Sequence, residues 1–391
     1  MEKINLISKL KVICYNKNSM KILIVITHGK IGGATNFVFW LAKGLKEKNV
    51  EVKVAFGEGE YLKERLEQEK IGYVNFKWLK RTHNLLSNLF FISEIKKFLD
   101  KEKFDVVHFN STNALFGAIG AKIAKNKPKT VFTFHGLSVL DPNYKKGYLL
   151  KIIYWITFKF LLLFIDTPVF VCKNNLEVAK KIKLIKNGVV IYNGIPMPEF
   201  LEREVARKFF EEKTKIDLKE KFIIGSIGRL DYQKNYNFLI NILPAILQNK
   251  PNAICIIIGD GPERKKYDNL IEKLKLQDKI FLIGELSNAP QYIKGFDLFI
   301  LPSRYEGLSI TLIEAVFAQI PILASDVGGN KEIVNENCVF NLNNKEGVLD
   351  KIKKSEVPIS KKEFFAIEKM TKEYFNLFGS FYKTNQHSPS F

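Results

Sequence analysis

Short runs of β-branched and aliphatic residues alternate with segments of helical period along this chain, and the alternation runs its course twice. No other feature constrains the fold as much. Strands separated by helix-length segments must pair in parallel through crossovers, with helices covering both faces of the sheet. In the first half the runs are Lys21 to Ile26, Glu51 to Phe56, Phe104 to Phe109, Thr130 to Phe134, Val169 to Cys172 and Val189 to Tyr192. Between the first two, Phe37, Val38, Leu41, Ala42 and Leu45 share one helical face. The second half restarts at Phe222 to Ile227 and continues at Ala253 to Ile258, Lys279 to Ile283, Leu298 to Leu301 and Ile322 to Ala324. The pattern predicts an α/β protein of two Rossmann-like, doubly wound domains, and 391 residues supply two domains of ordinary size.

The domain limits follow from composition. Asn193 through Pro196 and Pro198 to about Lys219 carries prolines and then charges, which reads as a connection, so the boundary falls near residue 197. This gives an N-terminal extension over 1–19, an N-terminal domain over 20–197, a C-terminal domain over 198–370 and a final helix and tail over 371–391. Residues 1–19 precede Met20 and the first strand and lack the long apolar core and small-residue cleavage site of a secretory signal, so no export is inferred. Cys14, Cys172, Cys255 and Cys338 are far apart and have no His at ligand spacing, which predicts cytosolic thiols rather than a zinc site or a disulfide scaffold.

The formal net charge of +20 is one-sided. Residues 1–200 hold 33 Lys+Arg against 16 Asp+Glu, and the remainder 28 against 25. A basic half points to an extended anionic partner: nucleic acid, an anionic membrane surface or a phosphate-bearing substrate. The run from Leu149 to Ile165 is interrupted by Lys151 and Lys159 and falls short of the roughly 20 apolar residues that a span requires. With Lys145, Lys146, Tyr148 and Trp155 around it, it fits both an interfacial helix and a helix buried in its domain.

Three segments carry chemistry. Pro302-Ser303-Arg304-Tyr305-Glu306-Gly307-Leu308-Ser309 follows a strand and opens a helix that contains Glu314. The free amides from Gly307 to Thr311 and the helix dipole suit a phosphate. Glu306 and Glu314 can then accept hydrogen bonds from the neutral hydroxyls of a sugar and a ribose. In the second, Gly225-Ser226-Ile227-Gly228-Arg229 leads on to Lys234 and delivers two cations just after a strand, able to neutralise a departing diphosphate. The third, Ile258-Gly259-Asp260-Gly261-Pro262, is a glycine turn through which a nucleotide can approach the backbone.

Taken in this order with Ser325-Asp326-Val327-Gly328-Gly329, these segments resemble the C-terminal domain of family 4 glycosyltransferases, retaining enzymes of GT-B fold. The resemblance extends through His28-Gly29-Lys30-Ile31-Gly32-Gly33, Asp105 to His108, Phe134-His135-Gly136 and Val190 to Ile195, and covers the chain from Met20 to about Tyr382. It implies two Rossmann-like domains facing across a cleft, with the helix around Met370 to Phe381 crossing back to the N-terminal domain. By position, Gly32 and Gly33 match the glycine loop at the donor phosphate, and His135 the histidine near the transferred sugar. Arg229 and Lys234 match the diphosphate clamp, Glu306 the carboxylate on the sugar hydroxyls, and Glu314 the one on the ribose. Gly259, Gly261, Gly307, Leu308 and Ser309 complete the donor site. Ala318-Gln319-Ile320-Pro321 stands where relatives often place Gly, and Ser309 where Pro is frequent; both read as local turn variation. His108 reads as a strand-end residue outside the chemistry.

The implied reaction moves a hexose or N-acetylhexosamine from a nucleotide sugar, UDP-linked by preference, to a glycan acceptor, with no cofactor and no metal. The basic half points to a lipid-linked, phosphate-bearing acceptor in bacterial surface polysaccharide or lipopolysaccharide biosynthesis, reached from the cytoplasm at the inner face of the membrane. A GDP-mannose-dependent mannosyltransferase is the alternative donor reading, and a nucleotide-sugar epimerase the rival enzyme. A basic nucleic-acid-binding protein is disfavoured, since no such module is present.

Overall fold

The structure is a computed structural model that describes residues 20–82, 84–145, 147–358 and 362–385. The extension 1–19 with Cys14, Lys146 beside the apolar run, and the tail beyond Asn385 lie outside the described residues. Two parallel sheets organise the chain. The first contains β1 (Lys21–Val25), β2 (Glu51–Phe56), β3 (Gly72–Asn75), β4 (Val106–Phe109), β5 (Lys129–Phe134), β6 (Thr167–Phe170) and β7 (Val189–Val190), in the order β3-β2-β1-β4-β5-β6-β7. The second contains β8 (Phe222–Ile227), β9 (Ala253–Ile258), β10 (Ile280–Leu282), β11 (Leu298–Leu301), β12 (Ile322–Ser325) and β13 (Val339–Phe340), in the order β10-β9-β8-β11-β12-β13. Both are doubly wound, as the alternation of runs predicts. The strands that the sequence leaves unannounced, β3 and β13, are short and lie at sheet edges; β3 is at most half-buried, and β13, though buried, has two residues, too few to write a hydrophobic pattern. Central β9 is the opposite case: all six of its residues are buried.

By residue contacts the chain parts into two units. One comprises the residues up to Thr133, Lys159–Val169 and the segment from Ile367 onward; the other comprises Phe134–Phe158 and Phe170–Ala366. In the first unit, the helix Ile367–Asn385 packs on the helix Gly33–Glu47 at Gly44, where any side chain would run into Thr371. Tyr374 is fully buried beside it, and its hydroxyl bonds Thr133 Oγ1 at 2.8 Å, which in turn bonds His108 Nε2 at 2.7 Å. His108 therefore sits in the core at β4, as its sequence context implies.

In the second unit the core forms from β8, β9 and β11 and the helix Tyr236–Asn249, through Ile224, Ile257, Ile300, Leu239 and Leu243. Strand order matters more than core composition for the site. β8 and β11 are hydrogen-bonded neighbours, with Leu298 opposite Ile224 and Phe299 opposite Gly225, although some 70 residues of chain separate them. They are also where the strand order reverses. Two parallel strands that diverge into crossovers on opposite faces leave a crevice beyond their carboxyl ends. The loops that follow β8 and β11 both open there.

Gln319 ends the helix Ile310–Ala318 in the left-handed conformation, at φ 57° with its side chain exposed. This explains why relatives favour Gly near this turn: the position requires positive φ, which costs a non-glycine residue about 1 kcal/mol. Gln319→Gly is expected to raise the stability to urea by about 1 kcal/mol without changing the slope of the transition; an unchanged or lower midpoint would refute the strain.

Candidate active site

The loop after β8 carries Arg229 and Lys234, and the loop after β11 carries Glu306. They are stitched together by Arg304: its amide donates to Gln233 O at 2.8 Å, and its guanidinium to Tyr232 O at 2.7 Å. Asn235, buried and itself left-handed, donates from Nδ2 to Pro302 O at 3.0 Å. On this frame Lys234 Nζ lies 2.7 Å from Glu306 Oε1. Ser303 Oγ donates to the same oxygen at 2.6 Å, and Gln233 Nε2 to Oε2 at 3.1 Å. Glu306 is thus a buried carboxylate with both oxygens satisfied. Arg229 is exposed, and among the described residues its guanidinium enters no ion pair.

The turn at Glu306 is oriented from behind. Asn175 Nδ2 donates to Glu306 O at 3.3 Å, the Gly329 amide to Gly307 O at 2.8 Å, and Asn193 Nδ2 to Leu308 O at 3.0 Å. In a trans peptide the C=O and the following N–H point in opposite directions. Tying three successive carbonyls to the protein therefore turns the amides of Gly307, Leu308 and Ser309 the other way. None of these three amides has an acceptor among the described residues, nor have those of Ile310 and Thr311, which begin the nine-residue helix. Such a row of free donors at a helix N-terminus is able to receive an anion. Glycine is required here because the backbones touch: a Cβ on Gly307 would lie 2.1 Å from His135 O, and one on Gly328 2.2 Å from Glu306 O. That contact brings His135, just after β5, beside the turn.

Two groups in this unit are held neutral. Burial pushes the Glu314 carboxyl up to about 8, with Lys234 opposing weakly. His135 is only partly exposed, and desolvation of its ring pushes it down to about 4. The sequence reading missed a third group, Asp141, which is buried in the loop after His135. Burial, aided by the Glu306 charge, pushes it up to about 6 against the Asn143 amide and Lys151. Ser303, Gln233, Asn175 and Asn193 were also missed as site residues; Ser303, Gln233 and Asn193 stand inside quoted segments, whereas Asn175 has no local signal.

Gly259 and Gly261 serve packing. A Cβ on Gly259 would meet Gly228 O at 2.0 Å, and one on Gly261 would meet Leu230 O at 2.5 Å. Their bareness lets the loop after β9 lie against the one bearing Arg229. Gly32 and Gly33 belong to the first unit, where they open the helix Gly33–Glu47 and a Cβ on Gly32 would meet nothing within 4 Å. Among the described residues, no group of three or more His, Cys, Asp or Glu could hold a metal ion, and no helix is long and apolar enough to cross a membrane. Cys172, Cys255 and Cys338 are free and buried.

Two doubly wound sheets, with a row of free amides and a loop bearing Arg229 and Lys234 at the switch point of the second, form the GT-B architecture of glycosyltransferases. The comparisons make the assignment specific. The model of "Glycosyltransferase Family 4" matches residues 31–197 and that of "Glycosyl transferases group 1" matches residues 207–356, and the chain belongs to the family 4 glycosyltransferases. It is 30% identical over 271 residues, 66% of each chain, to an Escherichia coli UDP-Gal:alpha-D-GlcNAc-diphosphoundecaprenol alpha-1,3-galactosyltransferase. It is 25% identical over 304 residues, covering 74% of this chain and 83% of the other, to the E. coli O-antigen biosynthesis glycosyltransferase WclY. The crystal structure of Anabaena HepE in complex with UDP and glucose superposes with a TM-score of 0.76 at 20% identity, covering 92% of this chain and all of that one.

The two neutral groups make a pH prediction. A carboxyl with its folded pKa raised is proton-bound in the native state and ionised in the unfolded one between about 4.5 and 8, so stability falls as pH rises through that window. His135, shifted down to about 4, contributes the opposite slope only below its ordinary value of 6.5. From pH 6.5 to 8 the Glu314 slope stands alone of the two. The ligand-free protein should lose stability across this interval, and Glu314→Gln should lose markedly less; equal slopes in urea titrations would refute the burial argument.

Proposed function

We propose that this chain is a retaining glycosyltransferase that moves a hexose or N-acetylhexosamine from a UDP sugar to a glycan acceptor borne on a lipid phosphate, at the inner face of the membrane. The product would enter a bacterial surface polysaccharide or lipopolysaccharide. One observation carries the reading: three carbonyls of the Glu306 turn are tied down so that free amides project beside the Lys234–Glu306 pair. That arrangement offers donors for a pyrophosphate and, on the same turn, a carboxylate for sugar hydroxyls. The lipid diphosphate in the name of the galactosyltransferase relative and the O-antigen role of WclY support the acceptor class. UDP with glucose in the HepE structure supports the donor base.

In this reading the bond from anomeric carbon to phosphate oxygen breaks through an oxocarbenium-like transition state. Arg229, Lys234 and the amides of Gly307, Leu308 and Ser309 take up the charge that develops on the departing diphosphate, so the protein itself supplies the countercharge that a metal would otherwise provide. The transferred sugar's hydroxyls donate to Glu306, sharing its oxygens with Ser303 and Gln233, and the ribose hydroxyls meet Glu314. His135, neutral at physiological pH, can offer the sugar a hydrogen bond without adding positive charge beside an oxocarbenium ion. The acceptor hydroxyl attacks from the face that the leaving group vacates, and the leaving phosphate accepts its proton.

Lys234→Ala and Arg229→Ala should each lower kcat by about two orders of magnitude or more while the protein stays folded, since cations acting on developing charge are worth about 3 kcal/mol in the transition state. Near-normal turnover in both variants would reject the clamp. The donor is tested by melting the protein with UDP-glucose, UDP-galactose, UDP-N-acetylglucosamine and GDP-mannose. At about 100 times Kd a true donor adds about 2.7 kcal/mol and several degrees to Tm. A shift with GDP-mannose alone would replace the UDP reading by the mannosyltransferase one, and a shift with none would overturn both.

A further inference from the structure

The helix Tyr148–Leu161 is apolar on the side where a surface helix is ordinarily polar. Tyr148, Leu149, Ile152, Ile153, Ile156 and Phe160 are all exposed, with Tyr148 at 81%, Leu149 at 69% and Ile156 at 57%. At 3.6 residues per turn these positions fall within a single arc of about 140°. The opposite side of the helix is satisfied within the protein. Phe158 is buried and stacks on Phe134 at 5.7 Å, Lys151 Nζ donates to Asp141 O at 2.9 Å, and the Trp155 indole N–H donates to Ile182 O at 2.9 Å. Trp155 is half-buried and anchors the helix to the protein through its indole N–H. The helix is neither a buried core helix nor, at 14 residues, long enough to span a bilayer.

The rim of this face is basic. Ile182, the acceptor of the Trp155 bond, sits among Lys180, Lys181, Lys183 and Lys186, all exposed, and exposed Lys145 precedes the helix. From Lys145 to Lys186 the chain has nine lysines against two acidic residues, Asp166 and Glu177. This charge decides the occupant. Two copies meeting face to face about a twofold axis would bring like lysine rims together. An anionic bilayer meets the same rim with phosphates while the apolar arc enters the headgroup–acyl boundary.

We infer that the exposed face of Tyr148–Leu161, with the lysines around Ile182, docks this protein on an anionic lipid surface. The inference deepens the membrane part of the proposed function by naming the surface that does it, and it leaves the donor site untouched. The experiment is co-sedimentation of the full chain with vesicles of phosphatidylcholine alone and of phosphatidylcholine with phosphatidylglycerol, at moderate salt. Wild type is expected to pellet with the anionic vesicles and to release as salt rises. The double variant Ile153→Asp/Ile156→Asp should lose at least tenfold in vesicle affinity, and Lys181→Glu/Lys183→Glu should lose its preference for the anionic vesicles. Both variants should keep the wild-type donor-induced rise in Tm, which shows that they are folded and separates failure of docking from failure of the transferase reading. The inference is overturned if wild type binds neither vesicle or binds both equally, or if the aspartate variant pellets like wild type. It is also overturned if analytical ultracentrifugation shows a wild-type dimer that the aspartate variant abolishes, since the face would then belong to a second copy.

Discussion

The contact on which the C-terminal site depends is the ion pair of Lys234 and Glu306. Two charges taken out of water repel the fold unless each is fully hydrogen-bonded, and a buried pair stripped of one partner is worse than no pair at all. Here the carboxylate is completed by Ser303 and Gln233, and the two loops are held in register by the Arg304 amide and by Asn235 on Pro302. That framework exists because β8 and β11 are adjacent. Parallel neighbours end on the same edge of the sheet, so a cation and a carboxylate that are 72 residues apart in sequence arrive together.

Around this pair burial disfavours the charged form of three other ionisable groups. Glu314 and Asp141 are buried carboxyls pushed upward, and His135 is an imidazole pushed downward; desolvation is the largest cause in all three. In a unit where Arg229 and Lys234 carry positive charge, a neutral Glu314 and a neutral His135 can donate or accept single hydrogen bonds without adding charge of their own.

The legible parts of this chain were those whose cause is local. β2, β8, β9 and β11 have the limits that their residue runs imply, and in β8, β9 and β11 nearly every side chain of the run is buried. The segment from Pro302 to Ser309 announced a helix start with free amides because strand, turn and helix are contiguous there. Asn175 was invisible for the opposite reason: it is an unremarkable residue in the helix Lys173–Lys181, and it matters only because folding puts its amide within 3.3 Å of a carbonyl 131 residues later. Gly259 and Gly261 show a subtler limit. Their identity was readable, but the side on which they are crowded was not; the backbone that meets them belongs to the loop bearing Arg229.

By itself the sequence determined two doubly wound domains, the loop that carries Arg229 and Lys234, the strand-turn-helix segment with Glu306 and the concentration of lysine in the first half, since periodicity, glycine placement and charge are written in consecutive residues. Only the tertiary structure decided that Lys234 bonds Glu306, that three carbonyls are tied back to free three amides, and that Trp155 bonds Ile182 while Ile153 and Ile156 face out. Those outcomes depend on which strands become neighbours and which helix face finds a core. Such choices are made by the summed burial of residues far apart in the chain, and no local pattern encodes them.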